Sequence, residues 1–373
     1  MSEENDRPDQ APGAPHPRDT TRLIGQDHAE HAFLEAFASE RLHHGWLITG
    51  PKGVGKATLA WRIARFLLAT PDAGEDAGMF GAPPPPTTLD ISPDHPVSHR
   101  MAAWAEPGLA CITRSINEDT KKLRNEIVVE DIRKLGKFFG LSAADGGRRV
   151  VIVDSADEMN TSAANALLKM LEEPPARTTL LLVSHQPTRL LPTIRSRCRI
   201  LRLSPLGPDD MATALAQTGI ELPQNSDHLA ALASGSVGAA LRIAALGGME
   251  MYAELVGLLA SMPRTDRARA LALAEAAAQR NATDKFELLL NMFDILMSRL
   301  ARTGATGEAP LPEACINESE TLRSLGGNAQ KGRAWAEVSA EITARTRHGK
   351  AVNLDPASLV LDTVFKMQET AAR

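Results

Sequence analysis

A chain of 373 residues, 43% of them hydrophobic and 4% aromatic, exceeds what one core ordinarily holds, so two or three domains are expected. The formal net charge of −5 excludes a protein-wide basic field for gripping nucleic acid, although arginines gather locally at Arg189, Arg195, Arg197, Arg199 and Arg202. No apolar run reaches membrane-spanning length and no signal-peptide pattern opens the chain. Three widely spaced cysteines argue against a disulfide framework, so a reducing cytoplasm without a membrane partner is the expected setting.

Residues 1–20 are polar, rich in Pro and Asp and without periodicity, and read as a disordered tail. Ala29, Ala32, Phe33, Ala36 and Phe37 then fall at helical spacing, and Trp46-Leu47-Ile48-Thr49 predicts a short strand. Gly50-Pro51-Lys52-Gly53-Val54-Gly55-Lys56 follows, and Leu59, Ile63, Phe66 and Leu67 mark one face of the next helix. Strand, glycine-rich turn and helix is the context a phosphate-binding loop requires. Gly50, Gly53 and Gly55 let backbone N–H groups converge on phosphate, and Lys56 reaches its outer oxygens. The pattern departs at its last letter, because position 57 is alanine where a hydroxyl should hold Mg²⁺. Thr58, one residue on, is rotated about 100° around the helix. Two readings stand: a phosphate or nucleotide site built on Gly50, Gly53, Gly55, Lys56 and Thr58, or a turn that merely joins strand to helix.

Residues 72–105 lack a pattern and read as an irregular insertion with a polyproline run, Pro83 to Pro86. Cys111, His95 and His99 are one ligand short of a closed structural zinc site, so no metal is expected. Leu109 to Thr113 and Ile127 to Val129 are strand-like. Ile132, Leu135 and Phe139 mark a helix face, and Gly146-Gly147 breaks it.

The stretch from Arg148 to Cys198 is the best patterned. Val150 to Val153 are four consecutive β-branched residues ending in Asp154, which predicts a buried parallel strand with a carboxylate at its C-terminal edge, where open α/β sheets bind ligands. Asp154 is read equally as a metal-supporting acid and as a capping acid at a strand end. Asn160-Thr161-Ser162 offers helix N-caps, Ala164, Leu167, Leu168 and Leu171 form the buried stripe, and Pro174-Pro175 ends it. A second strand, Leu180 to Val183, leads to the loop Ile194-Arg195-Ser196-Arg197-Cys198. From Pro205 the pattern turns to short helices at Pro208–Thr218, Ser226–Ala233 and Val237–Ala245, and from Met249 it stays helical. There Asp284 to Glu287 reads as a capping-box variant before the stripe Phe286, Leu289, Leu290 and Phe293. Ala301 to Ala314 reads as a loop, and Asp355-Pro356 opens the last helix.

The segments VVIVDSADEMN, NALLKMLEEPP and IRSRC, in this order, resemble the core of clamp-loader ATPases of the AAA+ family, in particular the subunits of the bacterial DNA polymerase III loader. The likeness runs from about Leu23 to Leu354-Asp355-Pro356, with a poor stretch at 72–105. It implies an α/β fold with a P-loop AAA+ core and parallel sheet over residues 21–204, a small helical lid over 205–247 and an all-α collar domain over 248–373. Gly25-Gln26 would border an adenine pocket and Ser184-His185 would sense the γ-phosphate. Gly235-Ser236-Val237-Gly238 would be the lid's second sensor, with glycine at a position usually held by arginine; Arg242 is out of register. Relatives pair Asp with Glu where this chain has Asp154-Ser155, and serine cannot take a proton from water at neutral pH.

Ala57, Ser155 and Gly238 thus stand at three positions where hydrolysis needs another residue. The resemblance implies a non-hydrolysing accessory subunit of the sliding-clamp loader in DNA replication, without catalysis of its own but part of a DNA-directed DNA polymerase holoenzyme. Whether ATP or ADP is held at all stays open. Arg197 would be an arginine finger supplied in trans to a neighbouring ATPase subunit. The implied partners are motor and other loader subunits in a hetero-oligomeric ring, with the sliding clamp and primer-template DNA met through the complex. Similar subunits often carry a four-cysteine zinc module near 72–105; this chain lacks its cysteines, and no zinc is expected. The competing readings are an active motor ATPase of the same architecture and a stand-alone nucleotide-sensing scaffold.

Overall fold

The computed structural model describes residues 9–10, 14–39, 42–70, 85–140, 147–219, 226–279 and 283–373. They form two compact units, one holding the chain to Gly219 together with Gly235–Ala239, the other Ile220–Ser234 with Ala240–Arg373.

The first unit is built on a five-stranded parallel sheet: β1 (Gly45–Thr49), β2 (Leu109–Ile112), β3 (Arg149–Asp154), β4 (Thr178–Ser184) and β5 (Arg199–Arg202), in the order β2-β3-β4-β1-β5. The β-branched run of β3 is buried because the sheet is covered on both faces. On one face Leu47, Val151, Val153, Leu180 and Leu182 pack with Ile132 and Leu135 of α4 (Val129–Gly140) and Leu167 and Leu171 of α5 (Thr161–Glu172). On strand alternation Trp46, Ile48, Ile152 and Leu181 turn the other way, and α2 (Lys56–Ala69) packs against β3 and β4. Helix α5 begins where the sequence places it, with the Asn160 side chain accepting from Ala163 N at 2.9 Å.

Two expectations for this unit need correction. Residues 14–20 are not a disordered tail. His16 is 2% exposed, edge-on to Trp61 and Trp104 with ring centroids 5.6 and 5.7 Å apart, and its Nε2 lies 3.0 Å from Asp9 Oδ2. The Arg18 guanidinium stacks 4.7 Å over Trp104, and Arg65 donates to the Arg18 carbonyl. A polar segment held by one histidine and one arginine leaves no periodic signal. Residues 1–8 and 11–13 lie outside the described residues, as do 71–84 of the insertion (with Pro83 and Pro84) and Gly146. The second correction falls at 85–105, where α3 (Pro96–Ala102) forms, capped by His95 Nδ1, which accepts from Val97 N at 3.2 Å. It buries Leu89, Val97 and Met101, too few apolar positions to read as a stripe. The unit also carries α1 (Asp27–Ala38), α6 (Pro192–Arg195) and α7 (Pro208–Ala216).

The second unit is helical: α8 (Ser226–Ala233), the main part of α9 (Val237–Leu246), α10 (Gly248–Ala260), α11 (Arg267–Ala277), α12 (Thr283–Thr306), α13 (Glu318–Gly326), α14 (Ala329–Ala351) and α15 (Pro356–Ala372). The stripe of α12 is buried at Phe286, Leu289, Phe293, Leu296 and Leu300. Asp355 caps α15, accepting from Ser358 N at 2.9 Å, with Pro356 in its first turn. Asp284 is not a cap, because α12 already starts at Thr283 and the acid lies in its first turn. The predicted loop from Ala301 also starts too early. Helix α12 runs on to Thr306, and Gly304 within it meets α14 so closely that a Cβ there would lie 2.6 Å from Gly332 Cα. This glycine serves backbone approach and not chain reversal. Among the described residues no single helix is long and apolar enough to cross a membrane.

Candidate phosphate site and basic edge

The loop from Gly50 to Gly55 leaves the C-terminal end of β1 and enters α2. Gly53 and Gly55 take φ of +81° and +99°, a region that favours glycine, and Leu23 Cδ1 would lie 2.4 Å from a Cβ on Gly55. Lys56 is 3% exposed and folds back over the loop, donating from Nζ to Gly50 O at 2.8 Å and to Pro51 O at 2.5 Å. Burial lowers its pKa to about 8, against the opposing pull of Asp154 and Asp157. The outer rim is held by a distant segment: Ser236 Oγ donates to Lys52 O at 2.8 Å, and Gly238 N donates to Gly53 O at 3.0 Å.

Asp154 closes β3 beside this loop. Burial raises its pKa to about 6, moderated by a hydrogen bond from Ser155 Oγ at 3.1 Å. Ser155 Oγ also lies 2.9 Å from His185 Nε2, while the carboxylate of Asp157 accepts from His185 N at 2.9 Å and Gln186 N at 3.2 Å. Burial and the Lys56 charge push His185 down to about 4, so its ring is neutral at pH 7. His185, uninformative as a lone residue in the sequence, is thus bound to the serine that replaces the expected glutamate. Ala57 and Thr58 sit half-buried in the first turn of α2.

These residues fit a nucleotide phosphate but not a fully held Mg²⁺. Gly50, Gly53 and Gly55 shape the cradle, and Lys56 supplies the charge. Asp154 is the one carboxylate at the metal position, with alanine at 57 and serine at 155. A bound nucleotide would bring the phosphate anion, and the cradle and Lys56 would orient it, with serine at 155 beside Asp154. Gln26, expected beside an adenine pocket, spends its amide on backbone: Nε2 donates to Ser204 O at 2.7 Å, and Oε1 accepts from Ser204 N at 3.2 Å. Its side chain ties α1 to the segment after β5.

Arg197 lies elsewhere. Sequence order suggested the same working edge as Asp154, but the strands are parallel and α6 carries the chain back before β5 begins. Trp46 of β1 is in register with Arg199, and the Arg197 carbonyl lies 3.1 Å from a Cβ built on Gly45, at the N-terminal end of β1. The five residues of β1, roughly 16 Å of strand, separate it from the phosphate loop. Arg197 Nη2 pairs with Glu172 Oε1 at 2.9 Å and Nη1 donates to Thr193 O at 3.1 Å, with the side chain 38% exposed. Glu172, the last residue of α5, is a partner that sequence reading missed. Its place in NALLKMLEEPP marks only a helix end. Arg199 stacks 5.3 Å over Trp46, and Cys198 is a packing residue whose thiol burial pushes up to about 12. Arg242 pairs with Glu287 at 3.3 Å inside the helical unit.

A parallel sheet of this order, with a glycine-rich loop and lysine after β1 and an acid ending β3, defines the class: a P-loop core of the AAA+ type. Residues 25–207 match the family described as "DNA polymerase III, delta subunit". The chain is 36% identical over 217 residues to DNA polymerase III subunit delta' of Pseudomonas aeruginosa, covering 57% of this chain and 59% of that one. It is 32% identical over 214 residues to subunit delta' of Escherichia coli, covering 56% and 57%. It is 28% identical over 207 residues to subunit gamma/tau of Mycobacterium tuberculosis, covering 54% and 31%. Through its core the chain is similar to DNA polymerase III delta-prime subunits, and it spans less than two thirds of the length of these relatives.

Proposed function

We propose that this chain is a non-hydrolysing subunit of a DNA polymerase III sliding-clamp loader, acting by placing Arg197 against the nucleotide of a neighbouring ATPase subunit. The observation that carries this reading is the separation of two charges on one sheet. Lys56 lies at the C-terminal edge and Arg197 at the N-terminal edge, so Arg197 cannot serve the loop of its own chain and is free to serve another. Its pair with Glu172 is more than a third exposed on both sides, and such pairs contribute at most about 1 kcal/mol, little to give up for a phosphate. Ala57 and the Ser155–His185 bond support binding of ATP or ADP without turnover. Residues 205–247 are proposed as the lid and 248–373 as the collar that joins motor and other loader subunits in a ring. The clamp and primer-template DNA are then met through the complex.

The test is clamp- and DNA-stimulated ATP turnover by a loader reconstituted from this chain and its motor subunits. Arg197→Ala should lower turnover while assembly is retained, and Arg195→Ala should not. Equal losses in the two variants would assign the effect to general basic charge. ATP turnover by the purified chain alone, abolished by Lys56→Ala, would favour the motor reading instead.

A further inference from the structure

The phosphate loop owes its shape to a segment 184 residues further along the chain. Ser236 is 6% exposed, and its hydroxyl works in both directions: it donates to Lys52 O at 2.8 Å and accepts from Ala239 N at 3.1 Å. Gly238 N takes the next carbonyl, Gly53 O, at 3.0 Å. Earlier in the loop Lys56 Nζ takes the carbonyls of Gly50 and Pro51.

In a trans peptide the C=O and the following N–H point in opposite directions. Drawing Lys52 O and Gly53 O outward therefore turns the N–H groups of Gly53 and Val54 toward the loop interior, the orientation an anion needs. The approach leaves no space for side chains. A Cβ on Gly53 would lie 2.3 Å from Ser236 Oγ, and a Cβ on Gly238 would lie 2.9 Å from Gly53 Cα. Glycine at 238 is thus more than a missing cation. It is a contact, and an arginine could not be restored there without driving the two backbones apart.

We propose that Ser236 and Gly238 are positioning residues for the phosphate loop, holding it in its anion-accepting shape whether or not an anion is bound. The functional consequence rests on the reading that the loop takes a nucleotide phosphate. The shape itself does not.

The experiment uses the full chain, with Ser236→Ala and Gly238→Ala. Hydrogen exchange of the loop amides at 52–56, measured without ligand, should speed up by about fivefold or more in each variant. Ser236→Ala acts through the lost hydroxyl bond to Lys52 O, and Gly238→Ala through the added Cβ that presses on Gly53 Cα. Exchange in β3 and β4 should not change. Affinity for a fluorescent ADP should fall by a similar factor, about fivefold. Unchanged loop exchange overturns the proposal. Accelerated exchange together with no ADP binding by the wild type supports the positioning role and overturns the nucleotide reading. Ser236→Ala removes one oxygen and adds no atom, so it keeps the test readable if Gly238→Ala does not fold.

Discussion

Two arginine–glutamate pairs, one in each unit, differ in almost everything except chemistry. Arg197 meets Glu172 at 2.9 Å with side chains 38% and 44% exposed. Arg299 meets Glu318 twice, Nε to Oε1 at 2.7 Å and Nη2 to Oε2 at 2.9 Å, with side chains 13% and 0% exposed. Glu318 also accepts from Tyr252 Oη at 2.5 Å and from Ala314 N at 2.6 Å, and Arg299 donates to the carbonyls of Pro310 and Pro312. Burial and the neighbouring carboxylate push the Tyr252 hydroxyl well above its ordinary pKa, so it stays a donor. In the helical unit a saturated buried network fixes the loop before α13, and removing one member strands a charge. At the sheet edge a single exposed pair holds an arginine that water already solvates. The first arrangement ties up every group of a buried pair, and the second keeps a guanidinium at the surface.

The largest expected effect breaks the comparison on the functional side. Arg197→Ala should cost about 10³ to 10⁵ in turnover at the one site it faces, the range for arginine fingers, as measured by single-turnover hydrolysis in the assembled loader. The total rate should fall far less where other sites keep their own arginines. The next effect is on stability. Glu318→Ala should cost about 3–5 kcal/mol in urea unfolding, because Arg299 is left buried without its counter-charge. A loss below about 1 kcal/mol would place that pair in the same class as Arg197–Glu172.

A third buried charge, Lys56, gives a pH test. Its pKa is depressed from 10.5 to about 8, so the charge is lost as pH rises through 8, far earlier than in an unfolded chain. Conversely, stability that is complete above 10.5 is lost as pH falls through about 8, when the buried ammonium must charge. Affinity for ADP should therefore weaken in two steps as pH climbs, through about 6 where Asp154 ionises and through about 8 where Lys56 neutralises. Lys56→Met should abolish the upper step and Asp154→Asn the lower, read from titrations of a fluorescent ADP. The smallest effect is the other half of the Arg197 prediction: Arg197→Ala should change unfolding free energy by no more than about 0.5 kcal/mol. A melting shift as large as that of Glu318→Ala would make Arg197 structural.

Several features were legible because their signals are local. Four β-branched residues before Asp154 can be little other than a doubly covered strand, and Asn160 before a stripe of Ala164, Leu167 and Leu171 is a cap wherever the helix packs. The glycines and lysine of residues 50–56 announce their loop, and alanine at 57 and serine at 155 mark where its pattern departs. The three-segment likeness over 150–198 points to the delta-prime family without any coordinates. What escaped has no neighbour in sequence to betray it. His16 is held by Trp61 and Trp104, Gly53 by Ser236 and Gly238, Arg197 by Glu172, and Gly304 by Gly332. Each is a contact between residues at least 25 positions apart, where a polar or small side chain carries no periodicity.

The sequence by itself determined which edge chemistry is present and which is missing, since side-chain identity alone sets what can bind metal, take a proton or carry a charge. Only the tertiary structure decided where that chemistry faces. Parallel pairing of β1 with β5 puts Arg197 and Lys56 at opposite ends of the same strand, because a parallel crossover must return the chain to the edge it left. The same folding brings Ser236 and Gly238 onto the phosphate loop, where backbone carbonyls, invisible to any pattern of side chains, find their donors.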